Sequence, residues 1–481
     1  MPRCYGLLLS TVLLAGCQLA PSHEAPPLPT AGQYPPEYAP VENGHAATDI
    51  AWRSFLRDPR LHAYVDAALS NNRDLRIAVA RIEEARGQFR IQRAERFPTL
   101  GASAEASRGR FAGFGAAPAT AGSGVSELYS VGLGVSAFEL DFWGRVRNLS
   151  EAARSQYLAT VEAQRAFHLS LIADLASTYL ALRGLEARIE LAEATLQSRR
   201  DELRIARVRF DAGITSALDF NQAEALLSQA ETERARLRLA AAEQRNLLAL
   251  LVGSEPDAPL PAPRPLAEQL DTAPLRAGLP SDLLLARPDI LAAERQLRAA
   301  RANIGVARAA FFPQLSLTGS LGYVSSELND LVSRDNRTWS IGPSLSLPLF
   351  DFGRNRGNLT AAEAREHIAV AEYERAIQVA FREVADALAA RRYLAEQFDA
   401  QARNLATLQR ITELARDRYA EGVVNFLQVL DAERNRFAAE QALIEVQSAQ
   451  AQNLVALYIA LGGGSAADQP ATNETAADLR P

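Results

Sequence analysis

Lysine is absent from this 481-residue sequence, so its 51 basic residues are all arginines. The absence excludes the phosphate-binding Lys of Walker-type loops and every Lys Schiff base. Met1 is the single methionine, which argues against a soft-metal relay, and the five histidines are scattered. No His-Glu-x-x-His, Gly-x-Ser-x-Gly or paired-Cys motif occurs, and a net charge of -6 leaves no footprint of nucleic-acid binding. The sequence therefore predicts a protein that is not an enzyme, with no cofactor, no metal site and no nucleic-acid partner.

Proline and glycine are nearly missing from one long stretch, which predicts the dominant helix. Residues Asn148 to Asp211 contain no Pro and a single interior Gly, Gly184. At 1.5 Å per residue this helix would be about 95 Å long. Apolar residues recur along it at intervals of seven, the spacing of a coiled coil, so the helix must lie against other long helices. The repeating positions are Val161, Leu175, Leu182, Ile189, Leu196, Leu203 and Phe210, with His168 interrupting the line.

The chain supplies such a helix twice. Adding 209 to these numbers returns a second line of apolar residues, made of Val370, Ile377, Val384, Phe398, Leu405 and Tyr419. Upstream the offset is 215 and matches Phe97-Pro98 to Phe312-Pro313. The offset changes at a Gly-rich insertion, Gly109 to Ser126, which is predicted to be a loop tip. Each half reads helix, strand, strand, long helix, helix, and we infer a duplication of this unit.

Cysteine occurs twice, at Cys4 and Cys17, and both lie near the N-terminus. Residues 1–16 carry an apolar run too short to span a bilayer, which predicts a secretory signal peptide. The Leu14-Ala15-Gly16-Cys17 stretch resembles the lipobox of bacterial lipoproteins, in which cleavage before the Cys leaves an acylated N-terminus. We therefore predict a covalent lipid on Cys17; an ordinary signal with an incidental Cys is the alternative. Residues 17–57 are predicted to be a lipidated tether, rich in Pro and Ala up to Pro40.

Alternation with a period of two identifies the strands. Apolar residues alternate with small or polar ones from Leu315 to Tyr323 and from Trp339 to Leu349, and more weakly from Thr99 to Arg110 and from Leu128 to Asp141. About ten residues is the length of a tilted membrane-spanning strand. A soluble antiparallel sheet packed on helices is the alternative.

The closure of the sheet bears on this choice. A strand in hydrocarbon has no unpaired edge, yet the chain offers four strands, and known barrels start at eight. Either the sheet is soluble or several chains pool their strands. Pooling also gives the uncovered coiled-coil seams their neighbours, so we predict an oligomer, with the number of chains open at this point.

Taken together, these features resemble the outer membrane factors of the TolC/OprM type, and in particular the lipoprotein branch of efflux ducts. The resemblance covers essentially everything from Cys17 to Gly464. The motifs that carry it are Leu14 to Cys17, Arg287-Pro288-Asp289-Ile290 leading to Ala309-Ala310-Phe311-Phe312-Pro313, Asp351-Phe352-Gly353-Arg354, Leu430-Asp431-Ala432-Glu433-Arg434, and Ala460-Leu461-Gly462-Gly463-Gly464.

The resemblance implies a mainly α fold with membrane β. In it, a homotrimer pools its strands into a 12-stranded β-barrel in the outer membrane, continued by a coiled-coil α-helical barrel through the periplasm. It implies the exit duct of a tripartite efflux pump, a porin-like channel that passes small toxic compounds outward in multidrug export. The partners would be a periplasmic adaptor protein, an inner-membrane transporter of the proton-driven RND type and outer-membrane lipid. Two alternatives stay open: an exit duct for type I protein secretion, and a periplasmic coiled-coil scaffold lipoprotein.

A periplasmic gate is implied at Leu427 and Asp431, one helical turn apart. Carboxylates close around a symmetry axis repel one another, so closure must be held by pairing and packing. Arg434 lies three residues after Asp431 and is within reach of it. The alternative is an ordinary surface Asp–Arg pair. The first half has Gln222 where the second has Asp431, so the charge is not duplicated.

The ends of the helical hairpins are the implied docking surface for the adaptor. They are Gly213-Ile214-Thr215-Ser216 and Gly422-Val423-Val424-Asn425, which expose apolar residues at hairpin turns. Plain turn chemistry is the alternative reading of both segments. The predicted boundaries are a signal peptide at 1–16, the tether at 17–57, the first repeat at 58–255, a linker at 256–280, the second repeat at 281–464 and a disordered tail at 465–481.

Overall fold

The computed structural model describes residues 18–24, 26–38, 44–110, 125–254, 259–271, 273–278 and 280–465. The predictions for the signal peptide, for lipidation at Cys17, for most of the loop tip and for all but the first residue of the tail lie outside these residues. Within the described part, no helix combines the length and the apolar character needed to cross a bilayer.

Each half of the chain forms the predicted succession of helix, two strands, long helix and helix. The first half contains α1 (Trp52–Phe55), α2 (Pro59–Asn71), α3 (Arg73–Ala94), β2 (Leu100–Arg110), β3 (Val125–Glu139), α4 (Arg145–Asp211) and α5 (Ala217–Val252). The second contains α6 (Leu283–Ala286), α7 (Pro288–Ala309), β5 (Gln314–Ser325), β6 (Arg337–Ser346), α8 (Arg354–Ala420) and α9 (Phe426–Ala460). Two short strands, β1 (His45–Ala46) and β4 (Leu275–Arg276), pair in parallel.

The chain divides into two compact units. The first unit holds residues 1–26, 81–161 and 292–373, and the second holds residues 27–80, 162–291 and 374–481. The first unit contains an antiparallel four-stranded sheet in the order β2-β3-β5-β6. The second contains the helical hairpins α4–α5 and α8–α9 from residues 162 and 374 onward.

The sheet has one apolar and one polar face. Leu133 lies opposite Leu321, and Leu321 lies opposite Trp339, so the apolar residues of neighbouring strands share a face. Serines and glycines occupy the other face, as in the pairs Ser316–Ser344 and Ser320–Ser340. The period-two alternation of the sequence therefore becomes a two-faced sheet, as predicted.

The heptad lines face inward along the middle of both long helices. Leu175, Leu182 and Leu196 on α4 are at most 5% exposed, and Ile377 and Val384 on α8 are at most 3% exposed. Towards the hairpin turns the line opens, and Phe210 is 41% exposed. The coiled-coil seam is therefore covered within one chain only in its central part.

Several predicted boundaries were wrong by a few residues. The long helix α4 begins at Arg145 rather than Asn148, because the Asp141 carboxylate accepts a hydrogen bond from the Arg147 amide at 2.7 Å and caps an earlier turn. Helix α3 ends at Ala94, four residues before Pro98, which has no amide to continue a helix.

Strand ends also differ from the prediction. Strand β6 ends at Ser346 rather than Leu349, because Pro348 has no amide to donate to a ladder. The loop tip predicted to begin at Gly109 begins later, since Gly109 and Arg110 still pair with Ser126 and Val125.

The N-terminal stretch predicted as a tether is bound to α7 within the first unit. Arg308 donates to the Leu19 carbonyl at 3.2 Å, and Arg301 donates to the Glu24 carbonyl at 2.7 Å. Gly305 makes this close approach possible, because a Cβ there would lie 2.8 Å from the Cβ of Ala20. The segment directly after the predicted lipidation site is thus held against the folded body.

The predicted linker is also fixed, over its described part, to the second unit. Strand β4 pairs with β1, and Leu270 forms a bridge with Leu56. The buried Asp58 carboxylate accepts hydrogen bonds from the Arg264 amide at 3.0 Å and from the Tyr179 hydroxyl at 2.8 Å. These bonds anchor the segment between the halves at one end of α2.

Gly184, the single interior glycine of the predicted long helix, marks a close contact between helices. A Cβ at this position would lie 2.7 Å from Ser448 Oγ and 2.8 Å from Ser448 Cβ on α9. Ser448 donates to the Leu180 carbonyl at 3.3 Å, across the same contact. Glycine within a helix costs about 1 kcal/mol relative to Ala, and here it allows α9 to approach the α4 backbone.

Gly184→Ala is expected to destabilise the protein. Overpacking of a close contact costs about 1–3 kcal/mol, which outweighs the roughly 1 kcal/mol of helix propensity that Ala adds. Moving the glycine to the other helix, in the double variant Gly184→Ala/Ser448→Gly, should restore most of the loss. Thermal unfolding of the purified protein, followed by circular dichroism, measures both. A single variant that melts at or above the parent temperature would contradict the contact.

Candidate functional site at the hairpin turns

The two helical hairpins turn by the same backbone motif. Gly213 and Gly422 adopt left-handed backbone with φ of 70° and 74°. The Ile214 amide donates to the Arg209 carbonyl at 2.8 Å, and the Val423 amide donates to the Arg418 carbonyl at 2.9 Å. This is the hydrogen-bond pattern of a helix C-terminus closed by glycine. The turns therefore occur where the sequence predicts them.

The turns expose apolar side chains. Ile214 is 75% exposed and Val423 is 60% exposed, whereas Thr215 and Val424 are half-buried. Leu218, the second residue of α5, is 65% exposed. Apolar side chains at the ends of both hairpins form a surface suited to contact with another protein.

The caps that follow the two turns differ. Ser216 and Asp219 form a reciprocal capping box at the start of α5, and the Thr215 hydroxyl also donates to the Asp219 carboxylate at 2.9 Å. Burial alone would raise the pKa of Asp219, but the hydrogen bonds from Thr215 and Ser216 lower it overall. At the start of α9, the Asn425 side chain accepts a hydrogen bond from the Gln428 amide at 3.4 Å.

The three residues of the predicted gate lie on the first turns of α9. Leu427 is 41% exposed, and the Asp431 and Arg434 side chains form an ion pair at 3.1 Å with about half of each side chain exposed. The 3.1 Å distance allows a charge-assisted hydrogen bond between the two side chains. Because both side chains are exposed to solvent, this ion pair contributes little to stability. Gln222, at the equivalent position of α5, is half-buried and carries no charge.

A buried charge cluster lies beside this pair. It consists of Arg199 and Glu202 on α4, Arg416 on α8 and Glu433 on α9, and Arg199 and Glu433 are 5% and 7% exposed. Arg199 contacts Glu433 directly and contacts Glu202 at 2.7 Å, and Arg416 contacts Glu433 at 2.6 Å. The cluster connects the α4–α5 hairpin to the α8–α9 hairpin.

Two more features describe this region. Burial raises the pKa of Glu202, and the adjacent Arg199 opposes that shift. Closer to the turns, Arg209 donates to the Tyr419 hydroxyl at 2.6 Å, a second connection between the hairpins.

Among the residues that the structure describes, no group of three or more His, Cys, Asp or Glu is arranged to hold a metal ion.

Comparison with known proteins identifies the family. A family model described as outer membrane efflux protein matches residues 64–254 and 279–463.

The chain belongs to the outer membrane efflux protein family.

Individual relatives of this efflux protein match over nearly their whole length. The toluene efflux pump outer membrane protein TtgI of Pseudomonas putida is 44% identical over 467 residues, which cover 96% of this chain and 98% of that protein. The cation efflux system protein CusC of Escherichia coli is 39% identical over 469 residues, which cover 96% and 98%. The open state of the MtrE outer membrane channel of Neisseria gonorrhoeae matches with a TM-score of 0.85 and 39% identity, covering 93% of this chain and 98% of that one.

The family decides between the functions that the sequence left open. This efflux protein is an outer-membrane transport channel and not an enzyme. Efflux is thereby favoured over type I secretion and over a soluble scaffold, and the predicted family and fold class are confirmed.

Sequence reasoning missed the buried charge cluster of the efflux protein. Glu433 lies inside the Leu430-to-Arg434 motif, but the family resemblance places the gate at Asp431, two residues before it. A signal was present at Arg199, which is three residues after Leu196 and so occupies the second seam position of the heptad. A charged residue at a seam position indicates a buried partner.

Glu433→Gln is expected to destabilise the efflux protein by about 3 kcal/mol, the low end for a broken buried ion pair, because Glu202 still contacts Arg199. Glutamine keeps the shape of the side chain but leaves the buried guanidinium without its second carboxylate. The matched control is Glu413→Gln, which changes an exposed carboxylate on α8. Thermal unfolding in detergent measures both variants, and equal melting temperatures for the two would contradict the role of the cluster.

Proposed function

We propose that this channel is the exit duct of a tripartite efflux pump, built as a homotrimer in the outer membrane. The observation that carries the proposal is the two-faced sheet, in which β2 and β6 each pair on one side only among the described residues. A sheet with an apolar face and open edges becomes stable in lipid when several copies close it into a barrel. Three copies of four strands give the 12-stranded barrel that the family resemblance implies.

The helical hairpins form the periplasmic extension of the proposed duct. Their turns, with exposed Ile214 and Val423, would contact a periplasmic adaptor, which connects the duct to an inner-membrane transporter of the RND type. The repeated turn geometry supports this, because both halves present an apolar tip of the same construction. A trimer would then offer six such tips to the adaptor.

The cargo of the duct is proposed to be small toxic compounds selected elsewhere in the pump. Two relatives of similar identity are named for different cargo, toluene for one and cations for the other. If the transporter, and not the duct, selects the compound to be exported, ducts for different compounds can remain similar in sequence. The absence of lysine and the scattered histidines agree with a passive conduit.

The gate of the proposed duct is assigned to Leu427, Asp431 and Arg434. Three Asp431 carboxylates near the axis would repel one another, and the Arg434 side chains would offset that repulsion while the channel is closed. The adjacent cluster around Glu433 would fix the hairpin that carries this pair. Release of the pairs would let the channel open.

Planar-bilayer conductance tests the gate. In Asp431→Ala the small, rare openings of the parent should become large and sustained. Three exposed pairs at about 0.5 kcal/mol each correspond to roughly a tenfold change in the opening equilibrium. Gln222→Ala, at the uncharged equivalent position, should behave as the parent. Equal, large conductance in the parent and Asp431→Ala would remove Asp431 as the gate, and no conductance from well-folded oligomers of either would argue against a duct.

The lipid anchor is proposed at Cys17. Cys17→Ser should remove the acyl mass from the mature N-terminal peptide, whereas Cys4→Ser, within the predicted signal, should leave it in place. The Cys17→Ser protein should still fractionate with the outer membrane and require detergent, because its strands lie in lipid. Mass spectrometry and membrane fractionation measure these outcomes. Release of Cys17→Ser as a soluble protein would contradict strands in the membrane.

A further inference from the structure

Residues 18–24, called the strap below, lie along α7 in the first unit. Arg308 donates to the Leu19 carbonyl at 3.2 Å, and Arg301 donates to the Glu24 carbonyl at 2.7 Å. The strap therefore runs antiparallel to α7. The two arginines lie about 10 Å apart along the helix axis at 1.5 Å per residue, so the strap is held at both of its ends.

The His23 ring adds two side-chain contacts near the second of these ends. His23 Nδ1 lies 3.1 Å from Arg301 Nη1, and His23 Nε2 lies 3.2 Å from Glu294 Oε1. Because arginine has donors and no acceptor, Nδ1 must accept this hydrogen bond, and the ring proton is on Nε2, which donates to Glu294. The contacts therefore fit the neutral imidazole in one tautomer.

Arg301 makes the strap part of a contact between two helices. Its side chain is 13% exposed, and its Nε donates to Glu366 of α8 at 3.0 Å. Its Nη1 donates both to the Glu24 carbonyl and to His23 Nδ1. These two bonds use both hydrogens of Nη1, so the imidazole is needed as an acceptor in this arrangement.

Charged and titratable groups surround the His23 ring on both helices and on the strap. They are Glu294, Arg298 and Arg301 on α7, Glu366, His367 and Tyr373 on α8, and Glu24 of the strap. Burial lowers the pKa of His23 below its ordinary value of 6.5, and the charges of Arg298 and Arg301 lower it further against the opposing hydrogen bond with Glu294. The surroundings thus favour the neutral ring.

The carboxylate partner of the ring keeps its charge as the pH falls. Burial alone would raise the pKa of Glu294, but hydrogen bonds from Arg298 and His23 lower it overall. Arg298 donates to the same Glu294 oxygen at 2.6 Å. Between neutral and mildly acidic pH, His23 is therefore the member of this pair that changes charge.

We propose that His23 is a pH-sensitive latch, which holds the strap on α7 while the imidazole is neutral and releases it when the imidazole is protonated. Protonation places a hydrogen on Nδ1, directly towards Arg301 Nη1. Two donors and two cations then face each other, and the hydrogen bond is lost. The proton comes from solvent, to which 26% of the His23 side chain is exposed.

Linkage gives the direction of the effect. The pKa of His23 is lower in the docked strap than the ordinary 6.5 of an exposed histidine, so protons bind preferentially to the released strap. Docking is strongest above this ordinary value and weakens as the pH falls below it. Each unit of difference between the two pKa values corresponds to about a tenfold change in the docking equilibrium.

The latch controls the segment directly after the proposed lipid anchor at Cys17. A docked strap holds Leu19 against Arg308 and so keeps this segment on the folded body. A released strap lets the anchor and the body separate by up to roughly 25 Å, the extended length of a chain of this size. The inference goes beyond the proposed duct and depends neither on its gate nor on its conductance.

Electron paramagnetic resonance of a nitroxide label at Ser22→Cys measures release of the strap in the full-length protein. Ser22 is exposed and directly precedes His23. The label should be restricted at about pH 7.5 and should gain a mobile component, several-fold larger, at about pH 5. The parent protein carried through the same labelling gives the background from its own cysteines.

Two substitutions of His23 and one control separate the latch from other titrating groups. His23→Gln keeps an acceptor and a donor but gains no proton, so its label should stay restricted at both pH values. His23→Arg carries a permanent positive charge, so its label should be mobile at both. The matched control His367→Gln, which changes an exposed histidine on α8, should keep the response of the parent.

Three results would overturn the latch. The first is a label mobility that does not differ between the two pH values in the otherwise unchanged protein. The second is an equal pH response in His23→Gln, which would assign the titration to another group. The third is a label that is already mobile at the higher pH, which would show that the strap is not docked. Circular dichroism checks that each variant is folded, and conductance of the same proteins tests the proposed duct separately.

Discussion

An open strand edge is costly in hydrocarbon, because each unpaired amide and carbonyl group there costs several kcal/mol. Within the part of the chain that the structure describes, the four-stranded sheet of this channel has two such edges, on β2 and β6. The alternation of apolar and polar residues along each strand gives the sheet its apolar face. That face can contact lipid favourably only when the strand edges are also paired.

The hairpin region follows a different rule, because its helices are joined by charges as well as by apolar seams. Leu175 and Leu196 bury the seam in the middle of α4, whereas Arg199 and Glu433 form a buried ion pair nearer the turns. A buried ion pair contributes little net stability compared with apolar packing, but it fixes geometry because each charge requires its partner. This dependence places the α8–α9 hairpin in one defined position against α4.

Much of this fold could be predicted from the sequence, because its long helices and its strands arise from residue patterns that repeat along the chain. The heptads of α4 and α8, the alternation in β5 and β6 and the glycines at 213 and 422 each correspond to one local physical rule. What could not be predicted depends on contacts between distant segments. The binding of Leu19 and Glu24 to α7, the approach of Ser448 to Gly184 and the pairing of Arg199 with Glu433 are set by tertiary neighbours that spacing alone does not name. The residues of the proposed gate and of the hairpin tips were predicted from the family resemblance. The structure adds the hydrogen bonds and ion pairs around them.

The unequal caps at the two hairpin turns have a consequence for motion. Helix α5 begins with a reciprocal box in which Ser216 and Asp219 hold each other, and Thr215 adds a further bond. Helix α9 begins with one longer hydrogen bond from Gln428 to Asn425. Fraying of a helix end is opposed by its cap, so we expect backbone amides at the start of α9 to exchange with solvent more readily than those at the start of α5. The first turn of α9, which leads to Asp431, is therefore held by fewer side-chain hydrogen bonds than the first turn of α5.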